Sequence, residues 1–316
     1  MIDLTPLKVT APGSLMLMGE HSVLFGEPAL ACAVDKRISV ELTPRDDRQV
    51  VIDSALAGYR SDLDHLAAEA KLSFVLVAIQ RQQAVLPAGF ELRIRSEFSH
   101  TVGLGSSAAV TVAVVTALMA FSGASGDPMA VFNESLAVVH QVQDGRGSGT
   151  DLVAAVFGGV VSYTVATAES PAQIRALKGL PKISLYYAGY KTKTPDVLKI
   201  VEQYCAQQPQ LYAGIYRLMG QCTAQAELAV ERSDWVSLGQ LMNMYQGFMD
   251  ALGVNDKQLV DIIYSLRQSD AIYAAKISGS GLGDCVLALG QDANLSIAYE
   301  QIPVSISAQG VSVEYQ

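Results

Sequence analysis

The stretch Gly103-Leu104-Gly105-Ser106-Ser107-Ala108-Ala109 decides how the rest of the chain is read. Its glycines let the backbone turn so that successive N–H groups converge on one point. A helix begins at once, from Ala108, and adds the unpaired N–H groups of its first turn and the positive end of its dipole. Together these make a cradle for an anion, phosphate above all. Hydroxyls at Ser106 and Ser107 are placed to reach a phosphate oxygen or Mg²⁺, which prefers hard oxygen ligands. The same residues also satisfy a plainer reading, a tight turn with a serine N-cap before a small-residue helix. Gly103-x-Gly105-x-x-Ala108 fits a dinucleotide-binding pattern as well. The preceding strand argues against it. Phe90, Leu92 and Ile94 alternate with Glu91, Arg93 and Arg95, whereas the strands of a parallel dinucleotide-binding sheet are apolar on both faces. The P-loop pattern G-x-x-x-x-G-K-[ST] does not occur.

Two further glycine segments lie downstream. In Gly145-Arg146-Gly147-Ser148-Gly149-Thr150-Asp151 a carboxylate follows a glycine turn at the start of a helix. Thr150 or Asp151 can cap that helix. Alternatively, Asp151 can accept or orient the proton of a substrate hydroxyl, as phosphoryl transfer requires. In Ser278-Gly279-Ser280-Gly281-Leu282-Gly283-Asp284 the glycines exceed what a hairpin between two apolar strands needs. Three such loops in one chain, each beside hydroxyls, point to a ligand with several phosphates.

Around these loops, Lys8 to Thr10 reads as a short strand broken by Pro12-Gly13. Further strands are expected at 38–42, 50–52, 90–94, 160–163, 183–188, 275–277, 285–289 and 311–315. Asp62 to Gln83 has helical spacing through Leu63, Leu66, Phe74, Val75 and Ile79. Other helices are expected from Ala108, over 133–143, over 151–157, and two or three between Asp196 and Ser269. Residues 166–179 read as a join, dividing the chain into a lobe over 1–175 and a lobe over 176–316. Strands and helices mix without a regular βαβ rhythm, so the expected class is α+β in two lobes.

The 316 residues are 50% hydrophobic and 17% charged, with a net charge of -9. Such a chain repels nucleic acid and anionic membrane surfaces. The apolar run Ala108 to Phe121 is too short for a membrane span, and residues 1–9 lack the apolar core of a signal peptide. Cys32, Cys205, Cys222 and Cys285 are scattered without metal-ligand spacing, as fits free thiols in the cytoplasm. His65 reads as a surface residue, His140 as a hydrogen-bonded helix residue, and His100 as a strand-end residue close enough to the loop to help position a nucleotide.

At this point the chain resembles a known family. Lys8-Val9-Thr10-Ala11-Pro12-Gly13 with Gly19-Glu20-His21-Ser22-Val23-Leu24-Phe25-Gly26 is similar to the N-terminal motif of mevalonate kinases. Gly103 to Ala109 is similar to the ATP-phosphate loop of the galactokinase, homoserine kinase, mevalonate kinase and phosphomevalonate kinase (GHMP) superfamily. Gly279 to Gly283 resembles its third motif. The resemblance implies an N-terminal lobe like the second domain of ribosomal protein S5, a ferredoxin-like C-terminal lobe, and an active site between them. It implies ATP and Mg²⁺, with Gly103, Leu104, Gly105, Ser106, Ser107 and Ala108 around the phosphates and Ser107 on the metal. Asp151 and Ser14 would be catalytic. Glu20, His21, Thr194, Gly279 and Ser280 would face the acceptor.

Glu20-His21 and Ala251-Leu252-Gly253-Val254 favour mevalonate as that acceptor, whereas Gly147 to Asp151 and Gly283-Asp284-Cys285 look more like phosphomevalonate kinases. No nucleic acid or membrane partner is expected, and at most a second copy of the chain in a homodimer. Two departures stand out. Ser14 replaces a lysine that is usual in the first motif, with Arg146 or Lys8 as the candidate substitutes for its charge. A degenerate nucleotide-binding protein is the alternative that this departure suggests. His140 stands where a metal-assisting glutamate is usual, with Asp144 or Glu134 as candidates in its stead.

Overall fold

The computed structural model describes residues 5–99, 102–124 and 126–316. It is α+β with two sheets, each carrying its own helices. The larger sheet runs in the order β12-β1-β2-β5-β3-β4, with β6 on β2 and β7 on β6. Its strands are β1 (Leu7–Met18), β2 (Ala29–Pro44), β3 (Gln49–Ser54), β4 (Gly58–Asp62), β5 (Phe90–Ser96), β6 (Val160–Thr164), β7 (Gln173–Leu177) and β12 (Ser312–Tyr315). Helices α1 (Ser73–Gln82), α2 (Ser106–Phe121), α3 (Pro128–Val142) and α4 (Thr150–Phe157) belong to this lobe. The smaller sheet is antiparallel, β11-β8-β10-β9, from β8 (Ile183–Lys191), β9 (Ile272–Ser278), β10 (Gly283–Gly290) and β11 (Glu300–Ile302). Helices α5 (Thr194–Gln207), α6 (Pro209–Glu231), α7 (Trp235–Ala251) and α8 (Lys257–Leu266) accompany it.

Helix α2 is buried along most of its length, from Ala108 to Leu118, because an Ala/Val helix has no polar face to offer water. It lies against β1, β2, α1 and α3. At its N-terminus Gly105 takes a left-handed φ of 63°. Glycine adopts this conformation without the steric cost of a Cβ.

Strand β1 does not stop at Pro12-Gly13, as the sequence suggests. It runs on, with a register shift between Pro12 and Ser14 against β2. A bulge of this kind accommodates a proline that cannot donate to the ladder and re-aims the residues that follow. The shift also divides the strand between two cores. Leu7, Val9 and Ala11 pack in the core of the large sheet. Leu15, Leu17 and Met18 pack with the small sheet and its helices.

Other boundaries move. The helix expected over 62–83 begins only at Ser73. The Asp62 carboxylate accepts from the Asp64 N–H, an Asx turn that competes with helix, while Leu63 is fully buried within a loop. The join at 166–179 contains β7, paired to β6. Four helices, not two or three, lie between the small-sheet strands β8 and β9. A division at 175/176 also misses the return of the chain: β12 pairs with β1, Leu7 opposite Tyr315, so the tail of the second half completes the sheet of the first.

The four cysteines are free. Among the described residues, no helix is long and apolar enough to cross a membrane.

Candidate active site

The three glycine segments meet at the β1 bulge. Ser14, 1% exposed, is turned by that bulge so that its N–H donates to Leu104 O at 3.1 Å. Its hydroxyl donates to Asp151 Oδ1 at 2.7 Å. Gly13 permits this approach, since a Cβ there would lie 2.8 Å from Leu104 O. Gly105 is needed for space as well as for its φ. Its Cβ would fall 2.0 Å from Ser14 Oγ and 3.4 Å from Asp151 Cγ.

Helix α2 starts without a side-chain cap, so the N–H groups of Ser106, Ser107 and Ala108 have no partner within the helix. Ser107 is exposed and Ser106 half-buried. The serine N-cap weighed from sequence is therefore not what these residues do. Helix α4 likewise lacks a side-chain cap. Thr150 Oγ1 is bonded to Ser148 Oγ at 2.7 Å, and Asp151, in the first turn, reaches Ser14 instead. His140 hydrogen-bonds Gly147 O at 3.0 Å and braces the turn that leads to Asp151.

Burial raises the Asp151 pKa above the usual aspartate value; the Ser14 hydroxyl and the charge of Lys191 lower it, and the charge of Asp284 raises it. Lys191 and Asp284 form an ion pair of 2.7 Å. Asp284 is buried and held at a left-handed φ of 68°, an uncommon conformation for a residue with a Cβ. Its carboxylate lies against Gly103: a Cβ on that glycine would come within 2.4 Å of Asp284 Oδ2. The sequence assigns neither residue a role in the site, although Asp284 stands in the third glycine segment. The signal for Asp284 was its place directly after the third glycine loop; Lys191 carries no motif and is brought in by the pairing of β8 with β10.

The first and third segments interlock. His21, at a left-handed φ of 59°, hydrogen-bonds Ser280 O through Nε2 at 2.9 Å. Burial lowers its pKa, and the bond to Ser280 opposes this. Glu20 does not line an open cleft. Its carboxylate is sealed in an ion pair of 2.5 Å with Lys276, the two side chains 1% and 0% exposed. The Tyr245 hydroxyl donates to Glu20 O at 2.8 Å and accepts from Gly19 N–H at 3.0 Å. Thr194 is exposed at the start of α5; Thr192, two residues earlier, donates to Leu282 O at 2.6 Å.

Two of the candidates for the departures noted above, Lys8 and Glu134, are engaged elsewhere. Lys8 pairs with Glu41 across the β1–β2 ladder at 3.6 Å. Arg146 is exposed on its turn. Glu134 is engaged by Arg81 of α1 through two hydrogen bonds. Asp144 is exposed beyond the end of α3. His100 lies outside the described residues. A surface cavity of about 460 Å³ opens elsewhere, at Lys36, Gln291 and Val304, and shares no residue with the three loops.

Comparison with known proteins gives the family. The model of the GHMP kinases N-terminal domain matches residues 70–159 and that of the GHMP kinases C-terminal domain matches 226–303. A mevalonate kinase of Aeropyrum pernix is 31% identical over 95% of this chain and 93% of its own length. The chain belongs to the GHMP kinase family. The fold of this GHMP kinase is shared with a Lin0012 protein from Listeria innocua (TM-score 0.85, 21% identity, 98% of this chain and 99% of that one). It is shared also with L. major mevalonate kinase, solved in complex with R-mevalonate (TM-score 0.73, 23% identity, 91% and 88%).

Proposed function

We propose that this GHMP kinase is an ATP-dependent mevalonate kinase, transferring the γ-phosphoryl group of ATP to the C5 hydroxyl of mevalonate. The observation that carries the reading is the Ser14–Asp151 hydrogen bond set directly against Gly105, which puts a proton acceptor beside the phosphate turn. The curated relatives support mevalonate as acceptor, including a second one, from Thermococcus sibiricus, 30% identical over 96% of the chain.

In this reading Gly103 to Ala108 hold the ATP phosphates through backbone N–H groups. The acceptor oxygen attacks the γ-phosphorus. As the new O–P bond forms, the bond to the β,γ-bridging oxygen breaks, ADP departs, and the hydroxyl proton passes to the Asp151 carboxylate. Ser14 fixes the orientation of that carboxylate. His21 and Ser280, joined to each other, shape the acceptor side of the cleft. Positioning and electrostatics supply most of the rate gain.

The residues fit Mg²⁺ brought in by the nucleotide rather than caged by the protein. Among those described, no group of three His, Cys, Asp or Glu side chains forms a metal cluster, while the exposed Ser107 hydroxyl at the mouth of the turn offers a hard oxygen. Bound there, Mg²⁺ would neutralise phosphate charge.

The test is ADP release with mevalonate, phosphomevalonate and galactose in parallel. Release that depends on mevalonate supports the reading. Turnover with phosphomevalonate alone transfers the assignment to that acceptor. ATP binding without turnover on any acceptor leaves a nucleotide-binding protein.

A further inference from the structure

The phosphate turn is flanked by two carboxylates, Asp284 against Gly103 and Asp151 against Gly105. That is an adverse setting for a polyanion, since like charges held close disfavour one another. The N-terminus of α2 offers only about half an elementary charge in compensation. A full positive charge is needed, and the structure provides one. Lys191 ends β8 and pairs in register with Gly283 of β10. Its Nζ lies 2.7 Å from Asp284 Oδ2, with 36% of the side chain still open to solvent. It is also close enough to Asp151 to act on that carboxylate electrostatically.

Among the described residues, the other cations of these segments are paired elsewhere or do not act on Asp151. Lys276 is sealed with Glu20 and Lys8 is paired with Glu41. Neither Arg146 nor Lys193 is among the charges acting on Asp151. The anchoring of Lys191 is itself built. Asp284 holds a left-handed backbone to aim its carboxylate, and the Thr192–Leu282 hydrogen bond ties the end of β8 to the same loop.

We propose that Lys191, anchored by Asp284, is a positioning residue for phosphoryl transfer, supplying the full positive charge beside Asp151 and the phosphate turn. Asp284 keeps the ammonium group in place before ATP arrives. Lys191 offsets the negative charge gathered around the transferring group while Asp151 takes the hydroxyl proton. This rests on the kinase reading above.

The test compares wild type with Lys191→Met, Lys191→Arg, Asp284→Asn, the Lys191→Met/Asp284→Asn double variant and Lys193→Met. Four quantities are measured: kcat from mevalonate-dependent ADP release, its pH profile, ATP Kd by calorimetry, and fold by circular dichroism. The expected result is a loss of kcat of about 100-fold in Lys191→Met, with ATP Kd changed far less and the spectrum unaltered. Lys191→Arg restores a substantial part, and Lys193→Met behaves as wild type. Asp284→Asn lowers kcat less, and its effect largely disappears in the Lys191→Met background, because the two residues act as a unit. The acid limb of the Lys191→Met rate profile lies at higher pH than that of wild type, since Lys191 favours the ionised form of Asp151 while Ser14 and Asp284 are unchanged. Wild-type kcat in Lys191→Met overturns the proposal, as does a loss accounted for by ATP Kd or by unfolding. Wild type without acceptor-dependent turnover overturns the kinase reading itself, a result distinct from an active wild type with an indifferent Lys191.

Discussion

The Ser14 hydroxyl donates to Asp151 Oδ1 at 2.7 Å across 137 residues of sequence, joining the bulge of β1 to the first turn of α4. A hydrogen bond to the charged form lowers a carboxyl pKa. Ser14→Ala should therefore move the acid limb of the rate profile towards neutral pH. Hydrogen bonds to charged groups contribute about 1.5–3 kcal/mol, so kcat should fall roughly 10- to 100-fold with ATP Kd little changed. A profile superimposable on that of wild type would exclude Ser14 from the reaction.

Asp151→Asn should lose turnover by at least about 10³-fold while still binding ATP. It should also melt at a higher temperature at pH 7. Burial raises the Asp151 pKa above its ordinary 3.8, so the native state binds the proton more tightly than the unfolded chain. Stability then falls as pH rises from the unfolded to the folded pKa, and the loss persists above it. Asparagine carries no charge and escapes this cost. The melting difference should vanish below pH 3.8, and melting curves at neutral and acid pH check the sign.

Gly105→Ala should abolish ATP binding and destabilise the protein. The left-handed φ of 63° costs an L-residue about 1–2 kcal/mol, and the new methyl would meet Ser14 Oγ. Calorimetric titration with ATP is the readout. Binding within a few-fold of wild type would show that this turn does not hold the phosphates.

Lys276→Met should be among the most destabilising substitutions, because it strands Glu20 in the interior without a partner. Breaking a buried pair costs about 3–5 kcal/mol. Adding Glu20→Gln should recover much of the loss. Urea denaturation of the two variants tests this, and equal stability of the single and double variants would refute it.

Much of this architecture is legible in the sequence because it depends on local rules. The starts of α2 and α4 follow from glycine turns feeding apolar helices, and β5 follows from strict alternation over Phe90, Leu92 and Ile94. Asp151 stands out because a carboxylate follows a glycine turn directly. What escapes is set by distant partners. The segment from Asp62 has helical spacing, yet side-chain bonds of Asp62 and burial of Leu63 hold residues 62–69 as strand and loop, and a short 3-10 turn over Ala70–Leu72 leads into α1. Pro12-Gly13 reads as a break because nothing local reveals the β2 and Leu104 contacts that carry β1 through it. Glu20 is brought to Lys276 from 256 residues away, and Lys191 reaches the site only through the register of β8 on β10. Neither relationship has a local pattern to betray it.

The division of β1 between two cores bears on how the molecule comes apart. Pulling Leu7, Val9 and Ala11 out of one interior strains the segment that anchors Leu15, Leu17 and Met18 in the other. The halves share a covalent, hydrogen-bonded beam rather than a linker, so neither can melt while leaving its neighbour whole. Heating should give one calorimetric transition, with a van't Hoff enthalpy matching the calorimetric one for the entire chain.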